Sequence, residues 1–83
     1  MKLKAITDPG HGWLQVPINL LNKINIMDKL SEYSHKRGSY AYLEEDCDWT
    51  IFGRAMEANG LAYSVGCEHT DQDSPIRQYQ PFK

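Results

Sequence analysis

Apolar residues recur along this chain with two periods, about two in some stretches and between three and four in others, and the change of period divides it into elements. In residues 2–7, Leu3 and Ile6 set among Lys2, Lys4 and Thr7 fit a short strand, which Asp8-Pro9-Gly10 terminates. Trp13, Leu14 and Val16 resume the strand pattern. With so few residues between them, the two segments are expected to form an antiparallel hairpin, with Gly10-His11-Gly12 supplying unusual backbone angles. Pro17 suits a first helical turn, and Ile18, Leu20, Leu21 and Ile24 follow as a stripe, predicting a helix over 17–23 that Asn22 and Asn25 help to end.

The next apolar positions, Leu30, Tyr33, Tyr40, Tyr42 and Leu43, flank a polar Lys36-Arg37-Gly38-Ser39 break. This predicts a second hairpin with strands at 29–35 and 39–44 and a positive φ at Gly38. Tyr40 and Tyr42 then share one face, with Ala41 and Leu43 on the other. Ile51, Phe52, Ala55 and Met56 make a helical band over 47–58, with Asp46 or Asp48 as N-cap and Gly60 as terminator. Tyr63, Val65 and Cys67 predict a last strand over 61–69. Residues 75–83 read as an extended or mobile tail containing at most one helical turn, and Pro81 keeps its end out of a sheet centre.

The sum is one α+β domain over residues 1–83. Its expected form is two layers, a mainly antiparallel sheet of about five strands with two helices packed on one side. Eighty-three residues, 41% of them hydrophobic, fill one core. A chain of this size buries about 60 to 65% of its unfolded surface, so a homodimer, a metal or another partner is a natural source of further stability.

Nine basic residues against eleven acidic give a net charge of −2, which supplies no broad basic field for nucleic acid. No apolar run has the length of a membrane span or the layout of a secretory leader, and the expected location is the cytoplasm. There Cys47 and Cys67 are expected to be free thiols, small and buried.

Four features carry candidate chemistry. The acidic run Glu44, Glu45, Asp46 and Asp48 serves either to cap the second helix or to meet a basic partner. His35, Lys36 and Arg37 on a hairpin tip, with Tyr40 beside them, form either an ordinary solvated turn or an interface anchor, and Lys36, Arg37 and Tyr40 would also be the contacts of a weak nucleic-acid-binding module. Cys47 at a helix start has the position of a nucleophile, yet the carboxylates around it oppose thiolate formation.

The fourth centres on His11. Thr-Asp-Pro-Gly-His-Gly resembles the segment that opens the zinc-dependent N-acetylmuramoyl-L-alanine amidases, which implies a zinc-binding histidine at the end of the first strand. Further ligands and a catalytic glutamate would have to come from Glu44 or Glu45, His35 or His69, and Glu68; His11, Glu45 and His69 are the set to test as metal ligands. The three histidines show no short metal-ligand spacing, so such a zinc hydrolase would depend on tertiary convergence.

Over most of its length the chain also resembles a family of small, largely uncharacterised bacteriophage and prophage proteins. The residues that carry the likeness are Asp-Pro-Gly-His-Gly-Trp, the Leu20-Leu21 pair, Tyr-Ser before the second hairpin, and Tyr-Leu-Glu-Glu-Asp-Cys-Asp. The resemblance implies an accessory protein in the cytoplasm of an infected bacterium. Its expected action is to bind a host or phage protein, in a host-takeover or anti-defence role, without catalysis or cofactor.

Overall fold

A computed structural model describes residues 1–83. The α+β class holds, and the sheet has six strands instead of about five. In chain order the elements are β1 (Lys2–Thr7), β2 (Gly12–Pro17), α1 (Ile18–Lys23), a single 3₁₀ turn at Met27–Lys29, β3 (His35–Arg37), β4 (Tyr40–Glu44), α2 (Trp49–Ala58), β5 (Ser64–His69), a second 3₁₀ turn at Pro75–Gln78, and β6 (Gln80–Pro81). The spatial order is β5-β1-β2-β4-β3-β6. All neighbours are antiparallel except β1 and β5, which run parallel after the long crossover through the rest of the chain. No helix is long and apolar enough to cross a membrane.

The register places Leu3, Leu14, Val16, Ala41 and Leu43 on one face of the sheet, where α1 contributes Leu20 and Leu21 and α2 contributes Phe52 and Met56. Both helices therefore cover the same side, as the sequence pattern implied. Asn25 follows α1 with φ 61°, a left-handed angle that asparagine tolerates and that turns the chain away. Helix α2 stops where Gly60 takes φ 66°. There the Leu61 N–H donates to the Met56 carbonyl (2.9 Å) and the Gly60 N–H to that of Glu57 (3.0 Å), the paired bonds of a Schellman ending.

On the opposite face, Trp13, Tyr42 and Ile76 form a smaller buried cluster, with Ile6 and Tyr79 packed against it. The segment after β5 crosses this face and then adds β6 to the free side of β3, pairing Lys36 with Gln80 and His35 with Pro81. The carboxyl-terminal residues thus contribute both a helical turn and an edge strand, and Pro81 lies at the sheet's border.

Three local expectations are corrected. The strand predicted at 29–35 is instead a 3₁₀ turn and a loop, and β3 begins only at His35. Leu30 is buried by its loop, and Ser31 and Ser34 direct donors to Asp48 rather than to a strand ladder. The polar triplet His35-Lys36-Arg37 is therefore strand, and the tip has shrunk to Gly38-Ser39, with Gly38 at φ 60° as its composition demands. Finally, Cys47 and Cys67 are free but exposed rather than buried.

Candidate functional site

The turn between β1 and β2 is organised by Asp8. Its Oδ1 accepts the N–H groups of Gly10 (3.0 Å) and His11 (2.9 Å), the local bonding that Asp offers a turn. The other oxygen, Oδ2, accepts the Ser74 N–H at 2.9 Å and Arg77 Nε at 2.6 Å, while Arg77 Nη2 donates back to Oδ1 at 2.9 Å. One buried carboxylate thus ties the opening turn to the crossing segment through a two-pronged guanidinium contact. Arg77 beside it, opposed by desolvation and aided by the Ser74, His11 and Gly10 amides, holds the Asp8 carboxyl well below the usual carboxylate range. The same pairing pushes Arg77 up.

The glycines of this turn have a different purpose from the one expected. Neither Gly10 nor Gly12 has a positive φ. A β-carbon at Gly10 would stand 2.8 Å from Arg77 Nη2, and one at Gly12 would stand 2.6 Å from Glu45 Oε2. At Gly10 the bare backbone leaves room for the guanidinium that Asp8 holds in place, whereas at Gly12 the neighbour is the free end of exposed Glu45.

Beside the turn, at the end of the face where β2 and β3 begin and β4 finishes, lies an open cleft of about 410 Å³. Trp13 is among its lining residues and is 2% exposed. The His11 and His35 rings stand 5.8 and 6.4 Å from the indole, and the Arg77 guanidinium lies 5.9 Å from it. The buried indole N–H meets no acceptor. Since a carbonyl can only accept, His35 carries its proton on Nδ1, which donates to the Tyr79 carbonyl at 3.1 Å and leaves Nε2 free of this bond. Glu32, Glu44, Asp46, Cys47 and the 62% exposed Tyr33 complete the lining.

The acidic run divides into two inward and two outward carboxylates. Glu44, a candidate for meeting a basic partner, is buried; its Oε2 accepts the N–H groups of Asp46 and Cys47, both at 2.9 Å, while Oε1 faces His11 Nδ1 across 4.0 Å. Asp48 is 1% exposed and is removed from the partner-binding set. Its carboxylate accepts the Ser31 N–H (2.9 Å), the Ser31 hydroxyl (2.8 Å) and the Ser34 hydroxyl, pinning the loop before β3. It occupies the N-cap position of α2 without giving that helix a side-chain cap. Glu45 and Asp46 point outward and remain exposed, and the Glu45 N–H donates to the Gly12 carbonyl at 3.0 Å, so the histidine turn and the acidic run are in contact.

Cys47 is exposed at this site, but Glu44 makes it a poor nucleophile. The hydrogen bond to Glu44, then desolvation, then the charges of Glu44, Asp48 and Asp46 all push the thiol up. Nucleophilic chemistry at neutral pH needs the opposite shift.

The histidine-centred zinc set is not assembled by the fold. His11 faces Glu44, the Glu45 carboxylate sits against Gly12, and His69 is engaged by Thr7 Oγ1 at 2.8 Å and Asp71 at 3.3 Å. No three histidine, cysteine or acidic side chains are grouped so as to hold a metal ion.

The basic residues of β3 separate in the same way that strand residues alternate. Lys36 projects to the helix-covered side, where its ammonium lies 5.7 Å from the Phe82 ring, and Arg37 projects to the other, 5.0 Å from the Tyr79 ring. Tyr40, 43% exposed, lines a second hollow of about 540 Å³ at the far end of the face, together with Lys2, Lys4 and Gln15. Arg37 and Tyr40 are opposite one another in the β3–β4 register and share this face, and Lys36 is turned away from both.

Sequence reasoning missed the central role of Asp8, Arg77, Trp13 and His35. Asp-Pro-Gly marks a turn, and Ser74-Pro75 marks a helical start whose Ser74 Oγ accepts the Ile76 N–H at 3.2 Å, but nothing local links the two motifs. Compared with known proteins, the chain matches no family model, no curated protein and no solved structure.

Proposed function

We propose that this chain is a small binding protein that acts without catalysis, taking a basic side chain of a partner protein into the cleft over Trp13. The observation that carries this reading is the charge balance of the cleft. Glu32, Glu44 and Asp46 line it with no lysine among them, and its one guanidinium, Arg77, is already engaged by Asp8. The exposed Tyr33 ring beside Glu32 and Asp46, neither of which is ion-paired, suits an ammonium or guanidinium group, through ring electrostatics and charge-assisted hydrogen bonds, while Glu44 is already shared between His11 and two backbone amides. Exposed Tyr33 at the rim is the kind of side chain that anchors protein interfaces.

Of the residues first considered for partner binding, Glu44 and Asp46 belong to this cleft and Glu45 lies next to it. The resemblance to phage proteins supports placing the partner among host or phage proteins in an infected bacterium. Titration calorimetry with an arginine-containing peptide and its citrulline counterpart tests the reading. The arginine peptide is expected to bind, with affinity reduced about tenfold by Glu32→Lys or Asp46→Lys and further by added salt. Equal binding of the citrulline peptide, or no binding of either, overturns it.

A further inference from the structure

The two borders of the sheet are finished differently. At one end β6 is only two residues long and carries Pro81, features that discourage further pairing. At the other end β5 extends for six residues, contains no proline and is exposed throughout except at half-buried Gly66. The Ser64 N–H donates to the Met1 carbonyl and the Thr70 N–H to the Thr7 carbonyl, both at 2.9 Å, so the even-numbered residues of β5 turn their peptide groups toward β1. By alternation, Val65, Cys67 and His69 present theirs to the free border.

We propose that β5 is the docking edge for a second copy of this chain, paired antiparallel about a two-fold axis at Cys67. This register sets Val65 against His69 of the second copy, and Cys67 against Cys67 of the second copy. All three outward-facing residues of each strand then exchange both bonds with their opposites, about six hydrogen bonds in total. Val65, 39% exposed in the single chain, becomes covered.

The charges on the other face make the edge complementary to itself. Glu68 lies 3.4 Å from Lys4 of its own chain. Gly66 is the β5 partner of Lys4 and has no side chain; only the flexible Lys2 stem leans over it, with Cε 3.4 Å from where a β-carbon would stand, so two lysine side chains lie near the border there. In the paired register Glu68 of the second copy lies opposite Gly66 and reaches across it to Lys4. Each lysine gains a second carboxylate, and the two-fold axis repeats the arrangement.

Sedimentation equilibrium in reducing buffer, from micromolar to millimolar protein, tests this. The wild-type chain is expected to reach twice the 9.5 kDa of one chain. Val65→Pro removes an N–H that faces the border and not β1, so it should leave a folded monomer by circular dichroism. Glu68→Lys should weaken association about tenfold or more, and Lys4→Glu combined with Glu68→Lys should restore it to within about threefold of wild type. A wild-type chain that stays monomeric at every concentration overturns the proposal, as does a dimer that a folded Val65→Pro variant retains. If Val65→Pro fails to fold, the charge exchange decides: equal weakening in the single and double variants overturns it.

Discussion

The two faces of the sheet are stabilised by different physics. Under the helices, thirteen buried apolar residues from β1, β2, β4, both helices, the connecting loops and Phe82 form one continuous cluster, which gains from area and tolerates no water. On the opposite face only Trp13, Tyr42 and Ile76 are buried as an apolar cluster, and the covering segment is held by directional bonds: Asp8 to Ser74 and Arg77, His35 to the Tyr79 carbonyl, and the short β3–β6 ladder. A face held by area yields only when the whole domain unfolds. A face held by a few named bonds can open separately, and here that face carries the cleft.

The largest effect should follow from cutting into the first face. Phe52 is fully buried in the cluster, and Phe52→Ala is expected to cost about 3 to 5 kcal/mol, from lost transfer energy and the cavity left behind, read as a lower urea midpoint with all probes moving together. Next comes the junction between the faces. Asp48→Ala leaves Ser31 and Ser34 without their shared acceptor and should cost about 1.5 to 3 kcal/mol. It should also weaken binding at the cleft, because the same loop carries Glu32 and Tyr33.

Arg77→Ala sharpens the comparison more directly. Hydrogen exchange should quicken at the amides of Ser74 and Tyr79, which bond to Asp8 and Ile76, while the helix-covered strands keep their protection. Acid should act on the same element. Because the folded-state pKa of Asp8 is depressed by Arg77, its contribution is complete above the unfolded-state value of about 4 and is lost as pH falls through the lower folded value. The crossing segment is therefore expected to loosen only in strong acid, and Asp8→Asn should abolish that dependence. The smallest effect concerns Cys47. Iodoacetamide at pH 8 should modify it more slowly than an unhindered thiol of a model peptide, and Glu44→Gln should raise the rate.

What could be read in advance follows the same division. Leu14, Val16, Ala41, Leu43, Phe52 and Met56 announce the first face because burial under a helix imposes a period on the residues themselves. Gly38 and Gly60 announce their turns because a positive φ excludes most side chains. The second face depends on pairings that leave no period. Asp8 finds Arg77 at a separation of 69 residues, and Asp48 finds Ser31 and Ser34 at 17 and 14. Leu30 and Tyr33 imitate a strand for the same reason: their spacing suits one, and the distant carboxylate that prevents it is invisible locally. Asp46 and Asp48 look like caps, yet only the folded chain shows Asp48 spending its oxygens elsewhere.

The separation of Asp8 from Arg77 also bears on the order of folding. Contacts so remote in sequence cost the most loop entropy to close, so they form late, once nearer contacts have shortened the path between them. Both hairpins and their helices can assemble from neighbouring segments, whereas the turn around His11 lacks its guanidinium until the chain beyond β5 has come back across the sheet. The cleft is accordingly expected to be completed late in folding, together with the equally remote pairing of β1 with β5. Substitutions at Asp8 or Arg77 should speed unfolding while leaving the folding rate nearly unchanged.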